Sequence, residues 1–412
     1  MDRPDFFQRL AEADNFTLRR AVERLREGLF DPFGVSLLTA RESQLNKIFD
    51  QGAQDLAANK DAHLCICGSY GQGKSHSLTY LRQRALDQGF VVSAISLDPR
   101  EVPMHDFCQV YRALVSQITF PDSNDSLVKV WEQWTTGKST QQLNGKNADP
   151  LAVIPDCMPH VFKAVLTALA HDNMQLSERQ KGLKKHTAFQ PDEFPWILAN
   201  ALNGNAPPVV RLRQALKYRE VSFYKEQSLI CKGWEPYFEM VRGLGLMFQQ
   251  MGYKGWVLLF DEAEAIAQTR INARRKSYAV LHRFFCPDTP LDGLYPIFAF
   301  TDDFFAAIKD EDYERLDTRS ATEQPYFAEN YAKAWQYLNI HSLHDLLSQE
   351  WQTIAGKLIH LHAKAYNWQA EQGQLQKQLD ATLKETGSRE ARLKIKALIN
   401  QLDFVEQEIV LG

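Results

Sequence analysis

The chain has 412 residues, enough for two or three domains or for one core with large additions. With 44% hydrophobic and 24% charged residues the composition is that of an ordinary globular protein, and a formal net charge of −4 excludes a global basic field, so any nucleic-acid contact must come from a local patch. Met1–Asp5 begins no apolar signal core and no run approaches a membrane span, which predicts a soluble, cytoplasmic protein with no membrane partner.

From Phe6 to about Phe30, Leu10, Leu18, Ala21 and Leu25 recur with charges between them, the pattern of an amphipathic helix or helix pair. Phe30-Asp31-Pro32-Phe33-Gly34 is a break. A second helix opens at Thr39-Ala40-Arg41-Glu42, with Leu45, Ile48, Phe49 and Leu56 as its apolar stripe. His63–Cys67 then reads as a short buried strand. Cys65 and Cys67 share one strand face, a spacing for neither a zinc site nor a redox pair. All six cysteines (65, 67, 108, 157, 231 and 286) are read as buried thiols in a reducing compartment.

The next residues, Gly68-Ser69-Tyr70-Gly71-Gln72-Gly73-Lys74-Ser75, fit G-x-x-x-x-G-K-[ST], the phosphate-binding P-loop. The glycines let backbone N–H groups turn inward around phosphate oxygens. Lys74 is placed to reach the β/γ-phosphates and Ser75 to ligate Mg²⁺. A helix from His76 onward points its positive end at the anion. Strand, glycine loop and helix in that order are the context this motif requires. Val91–Leu97 is a second strand and His105–Ile118 a further helix, an order that predicts a parallel sheet with crossover helices.

Pro121 to about Pro208 is polar and weakly periodic, a mostly helical insertion with pieces at Met158–Ala170 and Phe194–Leu202. Thr135–Thr140 and Asn144–Asn147 read as loops; Gly137-Lys138-Ser139 lacks the strand and first glycine of a phosphate loop. Arg211, Arg213, Lys217, Arg219, Lys225 and Lys232 follow, interleaved with Tyr218, Phe223 and Tyr224. That mix suits either a nucleic-acid backbone with stacking help or a solvated helix face.

A helix over Pro236–Gln250 leads into Gly255-Trp256-Val257-Leu258-Leu259-Phe260-Asp261-Glu262, an apolar strand ending in two acids, the Walker B pattern. Asp261 would belong to the Mg²⁺ shell and Glu262 would orient and polarise the attacking water. Arg270–Lys276 is a basic loop or helix start, and Leu294–Thr301 the next strand. In additional-strand ATPases this strand ends in a residue that senses the γ-phosphate. Thr301 suits the task through its hydroxyl, whereas Asp302 would set a second negative charge beside the phosphate. Arg315 and Arg319 lie where such folds keep an arginine finger, or they pair with Asp312, Glu314 or Asp317 on a surface helix. In ATPases of the AAA+ type the segment ahead of the first strand covers the adenine; Phe33, Gly34 and Val35 are the candidates, with plain core packing the alternative for Phe33. Ala328–Tyr366 is helical, with His341, His344, His360 and His362 as helix-surface histidines without co-ligands at metal spacing. Gln369–Val410 reads as a helical hairpin broken at Gly387-Ser388.

These residues make the chain resemble the BREX-type ATP-binding domain family, P-loop, AAA+-like ATPases of bacterial anti-phage defence loci. The resemblance rests on Gly34, Arg41-Glu42, the loop Gly68–Ser75, Arg84–Val92, Leu258–Ala263 and the basic run Arg270–Lys276, and spans roughly residues 20–365. It departs from the AAA+ pattern at Thr301-Asp302, where Thr-Asn is common, and in having no legible sensor 2 arginine. The implied architecture is an α/β core with a parallel sheet flanked by helices: N-terminal helices and linker (1–60), first half of the core (61–120), insertion (121–235), second half (236–325), and helical lid with C-terminal hairpin (326–412). The implied function is Mg²⁺-dependent ATP hydrolysis that drives assembly or remodelling of a DNA-associated defence complex, with other proteins of the locus, DNA and further copies of the chain as partners. A slow nucleotide switch that recruits proteins, or an initiator-like loader of a helicase or nuclease, would carry the same motifs.

Overall fold

A computed structural model describes residues 6–29, 31–143, 149, 151–170, 193–221, 228–310, 330–387 and 390–411. Its centre is a six-stranded sheet of β1 (Leu64–Cys67), β2 (Val91–Ser96), β3 (Ile118–Thr119), β4 (Trp256–Asp261), β5 (Leu294–Phe300) and β6 (Ile340–Ser342), in the order β3-β2-β4-β5-β1-β6. Every pairing is parallel except the short antiparallel β2–β3 edge. A parallel sheet covered on both faces needs strands that are apolar throughout rather than alternating. Accordingly, β1 and β5 are buried at every residue. Phe260 of β4 stacks on Phe298 of β5 with ring centroids 4.4 Å apart.

One sheet face packs Ile66, Val92, Val257 and Leu259 against helices that precede and follow β1. Ahead of β1 come α1 (Phe6–Glu12), α2 (Asn15–Arg26), α3 (Pro32–Leu38) and α4 (Glu42–Ala57); α5 (Lys74–Asp87) follows it. Asp31 starts α3: its carboxylate accepts the Phe33 and Gly34 N–H groups at 3.0 Å, and Pro32 at the first position has no N–H to lose. The other face holds α6 (Phe107–Ser116), then α7 (Leu127–Leu143), α8 (His160–Ala170), α9 (Phe194–Leu202) and α10 (Val209–Tyr218), and finally α11 (Glu235–Gln250) and α12 (Ile271–Phe285). The insertion is therefore continuous with the sheet's core: Trp131, Leu166 and Leu198 share one apolar cluster with Leu258 and Phe260.

A third core joins the two ends of the chain. Leu18, Val22 and Leu37 of α2 and α3 pack against Ile354 and Leu358 of α14 (Ser348–Tyr366) and Leu398 and Leu402 of α16 (Ala391–Leu411), joined by Leu375 and Leu379 of α15 (Gln372–Glu385), while α13 (Tyr331–Ala334) packs on the sheet's core. Arg26 clamps Asp403 through Nε at 2.8 Å and Nη2 at 2.6 Å.

Several local readings change. Thr135–Thr140 belongs to α7 rather than a loop; Trp131 and Thr135 are buried on its inner face, and packing overrides the weak propensity of Thr and Gly. The stretch Ala328–Tyr366 is not uniformly helical, because Ile340–Ser342 forms β6 at the sheet edge. Only Cys65 and Cys67 are buried; the other four cysteines are half-buried, and all six are free thiols.

Candidate functional site

In an open parallel sheet, ligands gather at the carboxyl ends of the strands. Here the ends of β1, β4, β5 and β6 converge. Register sets Cys67 beside Phe300 and Ser342, so the loop after β1 lies between the ends of β5 and β6. Gly71 and Gly73 take φ of +81° and +97°, conformations that side chains disfavour. Lys74 opens α5 with its ammonium folded back into the loop: Nζ donates to the Gly68 carbonyl at 3.0 Å, and the residue is 7% exposed. The Ser69 N–H donates to Gln72 Oε1 at 2.8 Å, and Gln72 Nε2 donates to Asp345 Oδ1 at 2.9 Å. Tyr70 points into solvent, 73% exposed.

Three acids lie at the end of β4 or just past it. Asp261 ends the strand and its Oδ1 accepts the Glu262 N–H at 2.9 Å. Glu262 sits in the left-handed region, φ 53° and ψ 36°, where the strand breaks into a 3₁₀ turn (Ala263–Gln268). That turn leaves Glu262 exposed and lining the cleft. Glu264 lies 3.6 Å from Lys74 Nζ. Burial raises its carboxyl above the usual carboxylate range, Glu262 and Asp261 push the same way, and Lys74 opposes them. At the end of β5 Thr301 is half-buried, and Asp302 is the residue that reaches the loop: its Oδ2 accepts the Ser69 hydroxyl at 2.8 Å. Thr301 and Asp302 both follow Phe300, the last residue of β5, and of the two it is Asp302, the acid set aside in favour of Thr301, whose bond to the loop is seen.

Beyond the loop the cleft becomes apolar. Gly34, Val35 and Leu38 of α3 line it, facing Trp351 and Ile354 of α14 and Ile395 of α16. Phe33 does not line it; the ring packs into the core joining the chain's ends. Two polar links tie this end to the loop end. His76 Nε2 meets Thr39 Oγ1 at 2.9 Å, and since the Thr39 hydroxyl donates to the Val35 carbonyl at 2.7 Å, the ring nitrogen is the donor. Burial lowers the His76 pKa to about 4, so the ring is neutral. Arg41 grips both oxygens of Glu350, at 2.7 and 2.8 Å, and donates to the His344 and Asp345 carbonyls at 3.1 Å. The start of α16 closes on the loop so tightly that a Cβ on Gly71 would lie 3.0 Å from Glu390 Cγ.

The structure thus brings together Tyr70, Gly71, Gln72, Gly73, Lys74, Ser75, His76, Gly34, Val35 and Glu262 on one cleft. Arg315 and Arg319 lie outside the described residues, as do Phe223, Tyr224 and Lys225. Of the basic stretch near α10, Arg211 pairs with Glu193 at 2.7 Å, and Arg219 is 3% exposed, its pKa pushed down to about 10 by burial. Arg219 is a core residue and no part of a surface patch. Arg274 is half-buried, donating to the Ala267 carbonyl at 2.9 Å, while Arg275 and Lys276 are exposed on α12. The histidines are also not all on helix surfaces: His341 lies in β6, and His362 is fully buried, bonded to Asp403.

The sequence profile of the family "BREX system ATP-binding protein BrxC/D" matches residues 17–179 and 234–410. The chain belongs to this family. The match includes the glycine loop, Asp261-Glu262 and the helices of the apolar end, and passes over 180–233, which holds α9 and α10. No curated protein and no solved structure matches the chain. Membership gives ATP binding and a role in the BREX anti-phage system. Among the described residues no helix is long and apolar enough to cross a membrane.

Proposed function

We propose that the cleft is the ATP site of an Mg²⁺-dependent ATPase with an AAA+-like core, and that hydrolysis drives assembly or remodelling of a defence complex on DNA. The observation that carries this reading is Lys74, a buried ammonium held inside a loop in which Gly71 and Gly73 adopt left-handed backbone, with the acids at and beyond the end of β4 beside it. The strand order supports it: β5 stands between the strand of the glycine loop and the strand ending in Asp261, the additional-strand arrangement. Lys74 neutralises the β/γ-phosphates. Ser75 and Asp261 offer a hydroxyl and a carboxylate, the hard oxygen donors that suit Mg²⁺. Glu262 orients the water, and Asp302, Ser69 and Thr301 sit at the γ-phosphate end. The apolar end receives the base between Gly34-Val35 and Ile395.

Lys74→Ala should abolish nucleotide binding. Glu262→Gln should keep binding and lose turnover by about 10²–10⁴-fold. Unchanged hydrolysis by Glu262→Gln would remove that carboxylate from the mechanism. Arg315 and Arg319 are proposed to act across a subunit boundary, a head-to-tail contact that builds rings or filaments. Specific activity should then rise with protein concentration, and a rate independent of concentration argues for a self-sufficient protomer. Arg275 and Lys276 are the proposed DNA contacts. Stimulation of turnover by double-stranded DNA would favour this reading, or a loader, over a switch that answers only to proteins.

A further inference from the structure

Glu264 belongs to neither nucleotide motif, yet it is the acid nearest the loop's cation. The 3₁₀ turn Ala263–Gln268 carries it under the loop, and its Oε1 lies 3.6 Å from Lys74 Nζ. Both side chains are shielded, at 15% and 8% exposure. Its other oxygen, Oε2, is buried and meets no hydrogen-bond partner among the described residues. Leaving a buried acceptor unsatisfied is unfavourable, and apart from its own backbone N–H the cation that this carboxylate meets is the Lys74 ammonium, so no saturated network holds it. The same ammonium, already donating to the Gly68 carbonyl, is the charge that an incoming phosphate requires. In a cleft of low dielectric two anions cannot share that cation without strong mutual repulsion.

We propose that Glu264 is the resident counter-ion of Lys74: without nucleotide it holds the ammonium against the loop, and it competes with the nucleotide's phosphates for that charge. Glu264 is a positioning residue, acting through Lys74 and not on the reacting atoms. A counter-ion of this kind holds the lysine side chain in place against the loop, at the cost of weaker binding for every phosphate ligand. The inference rests on the reading of the cleft as an ATP site, and it predicts a variant that binds better than the parent.

Titration calorimetry of the full chain with ADP and with ATP, in EDTA and in Mg²⁺, tests it. Glu264→Gln keeps size and shape and removes the charge; it should lower the Kd for both nucleotides on the order of tenfold, with or without metal. Glu264→Ala should move affinity in the same direction, and Glu264→Asp, which keeps the charge, should stay near the parent. Unchanged or weaker affinity in both Glu264→Gln and Glu264→Ala overturns the proposal. Weakening confined to Mg²⁺ overturns it too and makes Glu264 part of the metal shell. Failure of the parent to bind any nucleotide would sink the ATP-site reading itself. A parent that binds, with binding lost in Lys74→Ala but untouched in Glu264→Gln, sinks only the counter-ion.

Discussion

The two ends of the cleft are built in different ways. The loop end comes from one unbroken stretch, Gly68–Ser75, set between strand ends that a parallel register brings together. The apolar end is assembled from α3 and from helices α14 and α16 near the other terminus of the chain, where Lys357 Nζ donates to the Leu37 carbonyl at 2.9 Å. On the proposed reading of the cleft as an ATP site, the difference follows from what each end must do. Cradling phosphate requires particular backbone angles and a cation at a fixed offset, and only consecutive residues can supply these. Enclosing a flat apolar group requires only volume and apolar surface, which any two packed elements can provide.

The contrast can be tested by comparing ATP with inorganic tripolyphosphate, which shares the phosphates and lacks the base. The largest separation should come from the loop end. An alanine at position 73 would sit at φ +97°, where an L-residue costs about 1–2 kcal/mol. Gly73→Ala should therefore weaken ATP and tripolyphosphate alike, on the order of tenfold. Equal affinity in the variant would mean that the loop tolerates a Cβ and that the αL backbone is not what holds the anion. A smaller, one-sided effect is expected at the other end. Ile395→Ala removes apolar surface from the half-buried wall contributed by α16 and should weaken ATP about fivefold, roughly 1 kcal/mol, while leaving tripolyphosphate unchanged. If both ligands weaken together, the apolar end is not a base site.

The same division governs what the sequence reveals. The loop, β1, β2, β4 and β5 are legible because each is a local pattern: a glycine spacing, or an apolar run of strand length. β6 is not, since Ile340-His341-Ser342 is short, only partly covered and polar at its centre, and it becomes a strand only because β1 offers an edge. α7 hides behind Thr135-Thr136-Gly137, residues that speak for a turn until Trp131 is packed beneath them. Asp302 is set aside and Glu264 passed over for another reason. Both meet partners far along the chain, Ser69 and Lys74, and charge alone argues against an acid next to a phosphate site. For Glu264 a signal was present, an acid two residues past the Asp-Glu pair, but its direction depends on the 3₁₀ turn. Of the apolar end only Gly34 and Val35 are legible, as the segment expected over the adenine, and nothing in them announces that Trp351 and Ile395 will meet them.

The smallest expected effect concerns the core that holds the apolar end together, and its sign can be derived. His362 is buried between two partners of opposite demand. The Trp368 indole can only donate, and its Nε1 lies 3.0 Å from His362 Nδ1, so that nitrogen must accept and carries no proton. Nε2 then holds the proton and donates to Asp403 at 2.9 Å. Protonating Nδ1 would break the Trp368 bond and charge a ring shielded from water, and burial accordingly holds the His362 pKa below its usual value of 6.5 despite the attraction of Asp403. Unfolded, the same ring takes up a proton near pH 6.5. The stability it contributes is thus complete above about pH 6.5 and is lost as the pH falls from there toward the folded value. Between pH 7.5 and 5.5 the parent should therefore lose stability, read as a fall in Tm. Trp368→Phe removes the indole donor and leaves Asp403 to favour the imidazolium, so the variant should be less stable at pH 7.5 but should lose less on acidification than the parent. His362→Gln should flatten this part of the profile altogether. Thermal unfolding of the three proteins at both pH values decides the matter. An acid-side loss of the same size in all three would mean that other groups carry it, and that the ends of the chain are joined by packing with no titrating link between them.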